Sequence, residues 1–263
     1  MSATGNVAAM DQAGALAAQF VAARTANGAD GALDTLAPAL RPAGADDAYA
    51  AQFATVRALG ATIDGWKVGA KSADGPAQGA PLPSSGVFRK PATLPRAAFV
   101  KPGLELEIAF TLGRRFEPRS GPYDDATVID AIESVHAAIE LVASRFRAWP
   151  DIDRLWQLAD LQNHGALVVG EGVRYDAAYP FVTPGMRFTF DGASAFGGQP
   201  ANPAGDPRRL LAWVVNHSVS RGVAVEAGTV VTAGSYTGLY LPSSPGVARG
   251  EIDGLPPVQL SLV

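Results

Sequence analysis

The chain has 263 residues, 48% hydrophobic and 17% charged, which is enough apolar surface for a substantial core and too much for a disordered segment. A formal net charge of −4 and an isoelectric point near 5.4, without any block of Lys or Arg, speak against nucleic acid or an anionic membrane as main partner and for a small ligand. Cysteine is absent, so disulfides, thiolate ligands and cysteine nucleophiles are excluded, and any metal must be held by oxygen or by the three histidines. Residues 1–10 lack a basic segment followed by an apolar run, and no later stretch is a long apolar span; a cytoplasmic protein that does not enter the membrane is expected.

The amino-terminal part reads as helical. In residues 11–24 Leu16, Phe20 and Val21 recur at helical spacing among alanines, with Asn27-Gly28 as a stop. A weaker helix is expected over 31–40, ended by Pro42, and a third over 46–59, starting at an acidic cap and carrying Tyr49, Phe53 and Val56 on one stripe. The pattern changes to strands and turns at 60–64. The expected division is therefore a helical region, 1–64, and a second unit, 65–263.

Gly65-Trp66-Lys67-Val68-Gly69 opens that second unit. A lysine inside a short apolar strand must find partners or lose its proton. Lys67 is thus a candidate for holding a substrate carboxylate or for acid/base work, and equally compatible with an edge strand whose lysine reaches water. The stretch 71–95, rich in Gly, Ala, Pro and Ser, is either plain connection or a loop arching over a site, with Ser84 and Ser85 near its middle.

In 103–112 the residues Leu104, Leu106, Ile108, Phe110 and Leu112 alternate with Glu105 and Glu107. On a strand the leucines face a core and both carboxylates share the other face. Two like charges so placed resist desolvation unless a cation lies between them, and a hard divalent ion held by oxygen suits them. Taken alone, Glu-x-Glu is more often a solvated outer face.

Gly121-Pro122-Tyr123-Asp124-Asp125 marks a turn and a helix start, and Val128, Ile129, Ile132 and Val135 extend an apolar helical face to about Ala137. The next stretch, 138–146, reads better as a strand, on which Glu140 stands among apolar neighbours as a third possible ligand. If the helix continued instead, Glu133, His136 and Glu140 would share a helical face and Glu140 would be an ordinary surface group. A short helix at 154–160 leads to Gln162-Asn163-His164-Gly165 and a strand over 166–169; His164, at a loop-to-strand junction, is a site candidate or a hydrogen-bonded structural group. Asp206-Pro207 starts a helix with Leu210, Leu211, Val214 and Val215 buried. The strand from Gly228 runs into Gly234-Ser235-Tyr236-Thr237-Gly238, where small residues let backbone approach a ligand. Dinucleotide and P-loop fingerprints and internal repeats are missing from the sequence.

Taken in order, Gly65-Trp66-Lys67-Val68-Gly69, Gly103-Leu104-Glu105-Leu106-Glu107-Ile108-Ala109-Phe110, Ala138-Ile139-Glu140-Leu141-Val142-Ala143-Ser144-Arg145 and Val230-Val231-Thr232-Ala233-Gly234 resemble the 2-keto-4-pentenoate hydratase and 4-oxalocrotonate decarboxylase family of the fumarylacetoacetate hydrolase superfamily. The resemblance covers nearly the whole chain. It implies an α+β protein with a mixed, β-rich fumarylacetoacetate hydrolase-like core and a small helical amino-terminal region, usually in a homo-oligomer. By position Glu105, Glu107 and Glu140 match the family's Mg²⁺ or Mn²⁺ ligands and Lys67 its active-site lysine.

Such a site implies a 2-oxo acid substrate chelated through its carboxylate and keto oxygens, with enolate chemistry at the next carbon. Hydration of 2-hydroxypenta-2,4-dienoate to 4-hydroxy-2-oxopentanoate is the leading expectation. Decarboxylation or carbon–carbon hydrolysis on the same site, or a non-catalytic subunit that binds a 2-oxo acid and associates with a pathway decarboxylase or hydratase, are the alternatives. Ser84, Ser85, Thr232, Ser235 and Thr237 are the expected substrate-binding residues, with groups near the last three holding the substrate carboxylate. The sequence departs from the hydratase pattern where an acid implicated in proton transfer is replaced by Ser84-Ser85, and where the usual Ala-Asp-Asn-x-Ser reads Ala159-Asp160-Leu161-Gln162-Asn163-His164-Gly165. His164 or His136 is the expected substitute for the missing acid.

Overall fold

The computed structural model describes residues 3–26 and 28–263, with side chains from Gln12 onward apart from Ala29. Its elements in chain order are α1 (Ala3–Thr25), α2 (Ala45–Ala58), β1 (Ile63–Gly69), β2 (Gln78–Pro83), β3 (Val87–Phe88), β4 (Ala92–Leu94), β5 (Gly103–Leu112), α3 (Asp125–Ile129), β6 (Ile132–Val142), α4 (Arg154–Ala159), β7 (His164–Arg174), β8 (Met186–Phe190), β9 (Ala193–Ser194), α5 (Leu211–Val219), β10 (Val230–Ser235), β11 (Gly246–Ile252) and β12 (Leu255–Leu262). Among the described residues they form a seven-stranded mixed sheet ordered β2-β1-β10-β5-β6-β7-β3 and a five-stranded sheet ordered β4-β12-β11-β8-β9. No helix among them is long and apolar enough to cross a membrane.

The strand β5 sets the layering. Leu104, Leu106, Ile108, Phe110 and Leu112 are all fully buried on one face. The second sheet closes over that face: Gly250 of β11 comes so near that a Cβ there would lie 2.3 Å from Leu106 Cδ1. On the other face Ala109 joins Leu82, Ala138, Leu167, Val169 and Val230 in a smaller apolar cluster. Glu105 and Glu107 therefore do not face open solvent. They sit at one end of a second buried layer.

The expected helices α1 and α2 are present, and Leu16, Phe20, Ala48 and Tyr49 share a cluster with Phe146, Leu158 and Ala159. The expected stop at Asn27 lies outside the described residues. Three local expectations are corrected. The stretch 31–40 is not a helix but holds the short 3-10 turn Pro38–Leu40, because Leu33 pairs its backbone with Arg145 and Arg147 at 2.8 and 2.9 Å instead. The start of α2 has no acidic cap: Gly44 occupies the cap position and makes no side-chain bond. The helix after Asp124, whose side chain accepts from Thr127 N at 2.7 Å, lasts only to Ile129. Strand β6 begins at Ile132, since Ile132 pairs with Leu112 of β5, and Val135 and Ile139 gain ladder partners on both sides from β5 and β7. The spacing of Val128, Ile129, Ile132 and Val135 fitted either reading, and tertiary pairing decided it. The strand expected from 138 onward is borne out.

Candidate active site

Sheet register assembles the acidic cluster. The antiparallel β5–β6 ladder pairs Glu105 with Glu140, β10 places Ser235 opposite Glu107 and Thr232 opposite Ala109, and β1 places Lys67 beside Thr232. These side chains thereby share one sheet face although they come from four strands. Oxygens of Glu105, Glu107 and Glu140 all lie within 4.8 Å of one another. Glu107 is 2% and Glu140 1% exposed, and Lys67 7%.

Each member of the cluster is held. Lys67 Nζ donates to Glu140 Oε1 at 2.5 Å and to the carbonyl of Gln162 at 3.1 Å. Thr232 Oγ1 donates to Glu107 Oε2, which also accepts from Gly234 N at 3.0 Å. Gly234 has a φ of +91°, a conformation open to glycine and costly for other residues, and this aims its N–H at the carboxylate. Asn202 Nδ2 fastens the same turn through the carbonyls of Ala233 and Gly234 at 2.8 and 3.2 Å. The Gln162 carbonyl projects from three successive residues with positive φ, Leu161 at 48°, Gln162 at 51° and Asn163 at 58°. Strain of that kind persists where the surroundings over-determine it; here Asp160 and His164 are fixed on either side by Arg24.

The electrostatics are those of a site short of positive charge. Burial raises the Glu105 carboxyl to about 7, helped by Glu140 and only partly offset by Lys67. Burial, Glu140 and Glu105 push Glu107 well above the ordinary range against the opposing bond from Thr232. Glu140 alone is lowered: burial acts upward on it, but the charge and hydrogen bond of Lys67, with His164 nearby, outweigh burial. Burial also acts downward on Lys67, and the carboxylates overcome it, so the lysine keeps its proton more firmly than usual. Three carboxylates facing one ammonium leave a deficit that a divalent cation would fill, and their all-oxygen set fits a hard ion such as Mg²⁺ or Mn²⁺.

The cluster lines a cavity of about 660 Å³. Of the residues singled out from sequence, Lys67, the three glutamates and Ser235 border it. The others do not. Thr232 is fully buried beneath Glu107. Thr237 Oγ1 accepts from Leu106 N at 3.3 Å. Ser84 and Ser85 lie in the turn Ser84–Gly86, and Ser85 borders a neighbouring cavity together with His164. His164 is fully buried, with Nδ1 3.8 Å from Glu140 Oε1, and burial lowers its pKa to about 4 despite that carboxylate. It is a neutral neighbour of Glu140 in the structure. His136 bonds Thr111, Ser134 and the Gly170 carbonyl along a different groove. Sequence reasoning missed Lys71, Arg154, Gln162 and Asn202, which also border the main cavity. Arg154 at the start of α4 was readable only as a helix residue, and nothing local marked Asn202.

No protein-family model matches the chain. Among curated proteins it is 30% identical over 164 residues to a 4-oxalocrotonate decarboxylase from Pseudomonas sp., covering 60% of each chain. It is 29% identical over 168 residues to a 2-keto-4-pentenoate hydratase from Paraburkholderia phymatum, covering 64% of this chain and 63% of that one. The match thus spans about three fifths of the length of these relatives. Among solved structures it is similar to a 4-oxalocrotonate decarboxylase from Pseudomonas putida G7, solved with magnesium and adipate and also with calcium and acetate, at a TM-score of 0.81 and 20% identity over 96% of this chain and 98% of that one. Likeness at that identity establishes the fold, a β-rich α+β architecture shared with that decarboxylase.

Proposed function

Because the chain is a relative of the 2-keto-4-pentenoate hydratases and 4-oxalocrotonate decarboxylases, we propose that it is a divalent-metal-dependent lyase acting on a small 2-oxo acid or its 2-hydroxy-dienoic form. The observation that carries this reading is the buried Glu105, Glu107 and Glu140 cluster, in cation-binding proximity and with one ammonium among them. Those three residues would hold Mg²⁺ or Mn²⁺, which when bound supplies Lewis acidity toward a chelating 2-oxo acid. Lys67, whose proton the surrounding carboxylates hold firmly, serves there as a cation for the substrate. Ser235 and the backbone of the Gly234 turn form the wall against which a carboxylate is held.

Hydration of 2-hydroxypenta-2,4-dienoate to 4-hydroxy-2-oxopentanoate is the first reaction to test, by following ultraviolet absorbance of the dienoate with the chelated protein and again after Mg²⁺ or Mn²⁺ is added. Metal-dependent loss of the conjugated chromophore with that product supports it. No loss, under conditions where metal binds, rules hydration of this substrate out.

A second reading, decarboxylation of a dicarboxylic 2-oxo acid, is favoured by two features of the same cavity. Lys71 and Arg154 border it as exposed cations without an ion-pair partner among the described residues, suited to a distal carboxylate. Its only acidic side chains are the three glutamates. Engaged on a metal, they leave no carboxylate or imidazole there to activate water, which hydration requires and decarboxylation does not. Release of carbon dioxide from 4-oxalocrotonate, reduced in Arg154→Ala, is the expected result under this reading; equal release by that variant would count against the role of Arg154.

Two further outcomes follow from the site. Metal binding must displace protons from Glu105 and Glu107, whose pKa values are raised, so Mg²⁺ affinity should rise with pH through about 7, where Glu105 loses its proton. The linked stability has the same origin: a carboxyl whose folded pKa exceeds its unfolded value of 4.5 makes the metal-free protein lose stability as pH climbs from 4.5 toward about 7. Titrations at mildly acidic and mildly alkaline pH that gave equal affinities would exclude this protonation state. Thr232→Val removes the hydroxyl that orients Glu107 and should weaken Mg²⁺ binding by about tenfold, as loss of supporting bonds does at other metal sites. Unaltered affinity, read by calorimetry, would mean that Gly234 N alone suffices.

A further inference from the structure

Across the His164 ring from Glu140 lies a second cavity of about 330 Å³ that the proposed reaction does not use. Its polar wall carries Arg24 from the last turn of α1, Arg145, Ser144 and His164. Both guanidinium groups lean on one carboxylate. Arg24 Nη2 reaches Asp160 Oδ1 at 2.8 Å, whereas Arg145 Nε stands 3.6 Å from Asp160 Oδ2. The three side chains are 10%, 9% and 0% exposed. Two buried cations thus share one anion, and the second ion pair is the loose one.

Donor counting points the same way. Arg145 Nη2 is buried without a hydrogen-bond partner among the described residues, and so are both ring nitrogens of His164. An unpaired buried guanidinium N–H is costly, and a buried positive charge without its own counter-ion more so. Burial lowers the pKa of Arg24, to about 9, and of Arg145 as well, the direction expected where positive charge is under-compensated. Apart from Thr25 and Ser85, the rest of the wall among the described residues carries no polar side chain and includes Leu59, Ala98, Phe99 and Val100. Ser85 sits at its exposed margin.

We propose that this cavity is a binding site for a short-chain aliphatic carboxylate, its head group taken by the Arg145 guanidinium and its tail packed against Leu59, Phe99 and Val100. A guanidinium offers two parallel donors matched to a carboxylate, which supplies both the missing acceptor and the missing charge. The apolar wall selects against a fully hydrated inorganic anion. The site is separate from the metal-binding cluster, so it stands or falls independently of the proposed reaction.

Calorimetric titration of sodium butyrate into the protein in excess Mg²⁺ tests it, with three variants and inorganic phosphate as comparison. One saturable site per chain is expected. Glu105→Gln, altered only in the acidic cluster, should keep butyrate affinity, while Arg145→Gln should lose at least about tenfold. Because Arg145 also contacts Asp160, Ala98→Trp is the companion variant: it fills the cavity from an exposed position, leaves the ion pairs alone and should weaken butyrate by a similar factor. Absence of saturable binding to the wild type, loss of binding in Glu105→Gln, unchanged binding in Ala98→Trp, or phosphate binding as tightly as butyrate would each overturn the proposal.

Discussion

Glu107→Gln is expected to abolish metal-dependent turnover and to weaken Mg²⁺ binding by about 100-fold or more, since even supporting residues around a metal cost 10–100-fold when lost. The metal-free variant should nevertheless melt where the wild type does. Glu107 is buried, and burial with the neighbouring carboxylates pushes its pKa well above the ordinary range, so the charge that glutamine removes is one the metal-free fold disfavours. Glutamine keeps its size and its carbonyl can still accept from Thr232 and from Gly234 N. Calorimetric metal titration and thermal melting of the chelated proteins separate these effects. Wild-type metal affinity in the variant would remove Glu107 from the ligand set; a large drop in the metal-free melting temperature would mean that the fold depends on the Glu107 charge.

Lys67→Met should destabilise the protein by about 3–5 kcal/mol at neutral pH, the usual cost of stripping one partner from a buried ion pair. Both side chains are more than nine-tenths buried and the contact is 2.5 Å. Methionine fills the stem of the lysine but leaves Glu140 facing Glu105 and Glu107 with no cation. The pH dependence has a definite sign. Lys67 has a raised folded pKa, so its contribution is fully present below the unfolded value of 10.5 and is lost only as pH climbs through the folded one. Glu140 has a depressed folded pKa, so its share is present above 4.5 and disappears as pH falls through the folded value. The deficit of the variant should therefore be greatest between 4.5 and 10.5 and shrink in acid. Urea unfolding at neutral and acidic pH measures it, and an equal deficit at both would sink this account. Turnover should fall with it, because the cavity loses its only buried ammonium.

What was readable in the sequence was what depends on neighbours along the chain. The alternation of Leu104, Leu106, Ile108, Phe110 and Leu112 with Glu105 and Glu107 fixed both a strand and the side-by-side carboxylates, because side-chain direction repeats every two residues whatever the strand packs against. The isolated Lys67 and the acid Glu140 in an apolar run were legible for a similar reason: a charged group in such surroundings needs a partner. The amphipathic stripe Tyr49, Phe53, Val56 likewise announced α2. The stretch 128–137 was not decidable, since its apolar spacing satisfied helix and strand alike until β5 and β7 supplied ladder partners.

Tertiary structure alone decided which charged groups meet. Glu105 and Glu140 face each other through the β5–β6 register, and Lys67 reaches Glu140 from 73 residues away. Arg24, Arg145 and Asp160 converge from α1, the end of β6 and the end of α4, with no local signal at any of them. The same register explains the misplaced candidates. Ser84 and Ser85 follow the end of β2 and His164 opens β7, where Ser85 and His164 border the neighbouring cavity, and Thr232 spends its hydroxyl on Glu107. Periodicity dictates the face on which a side chain lies, a property of one strand; the partner it finds there depends on strand order and register, which are set by how the two sheets bury their apolar faces together.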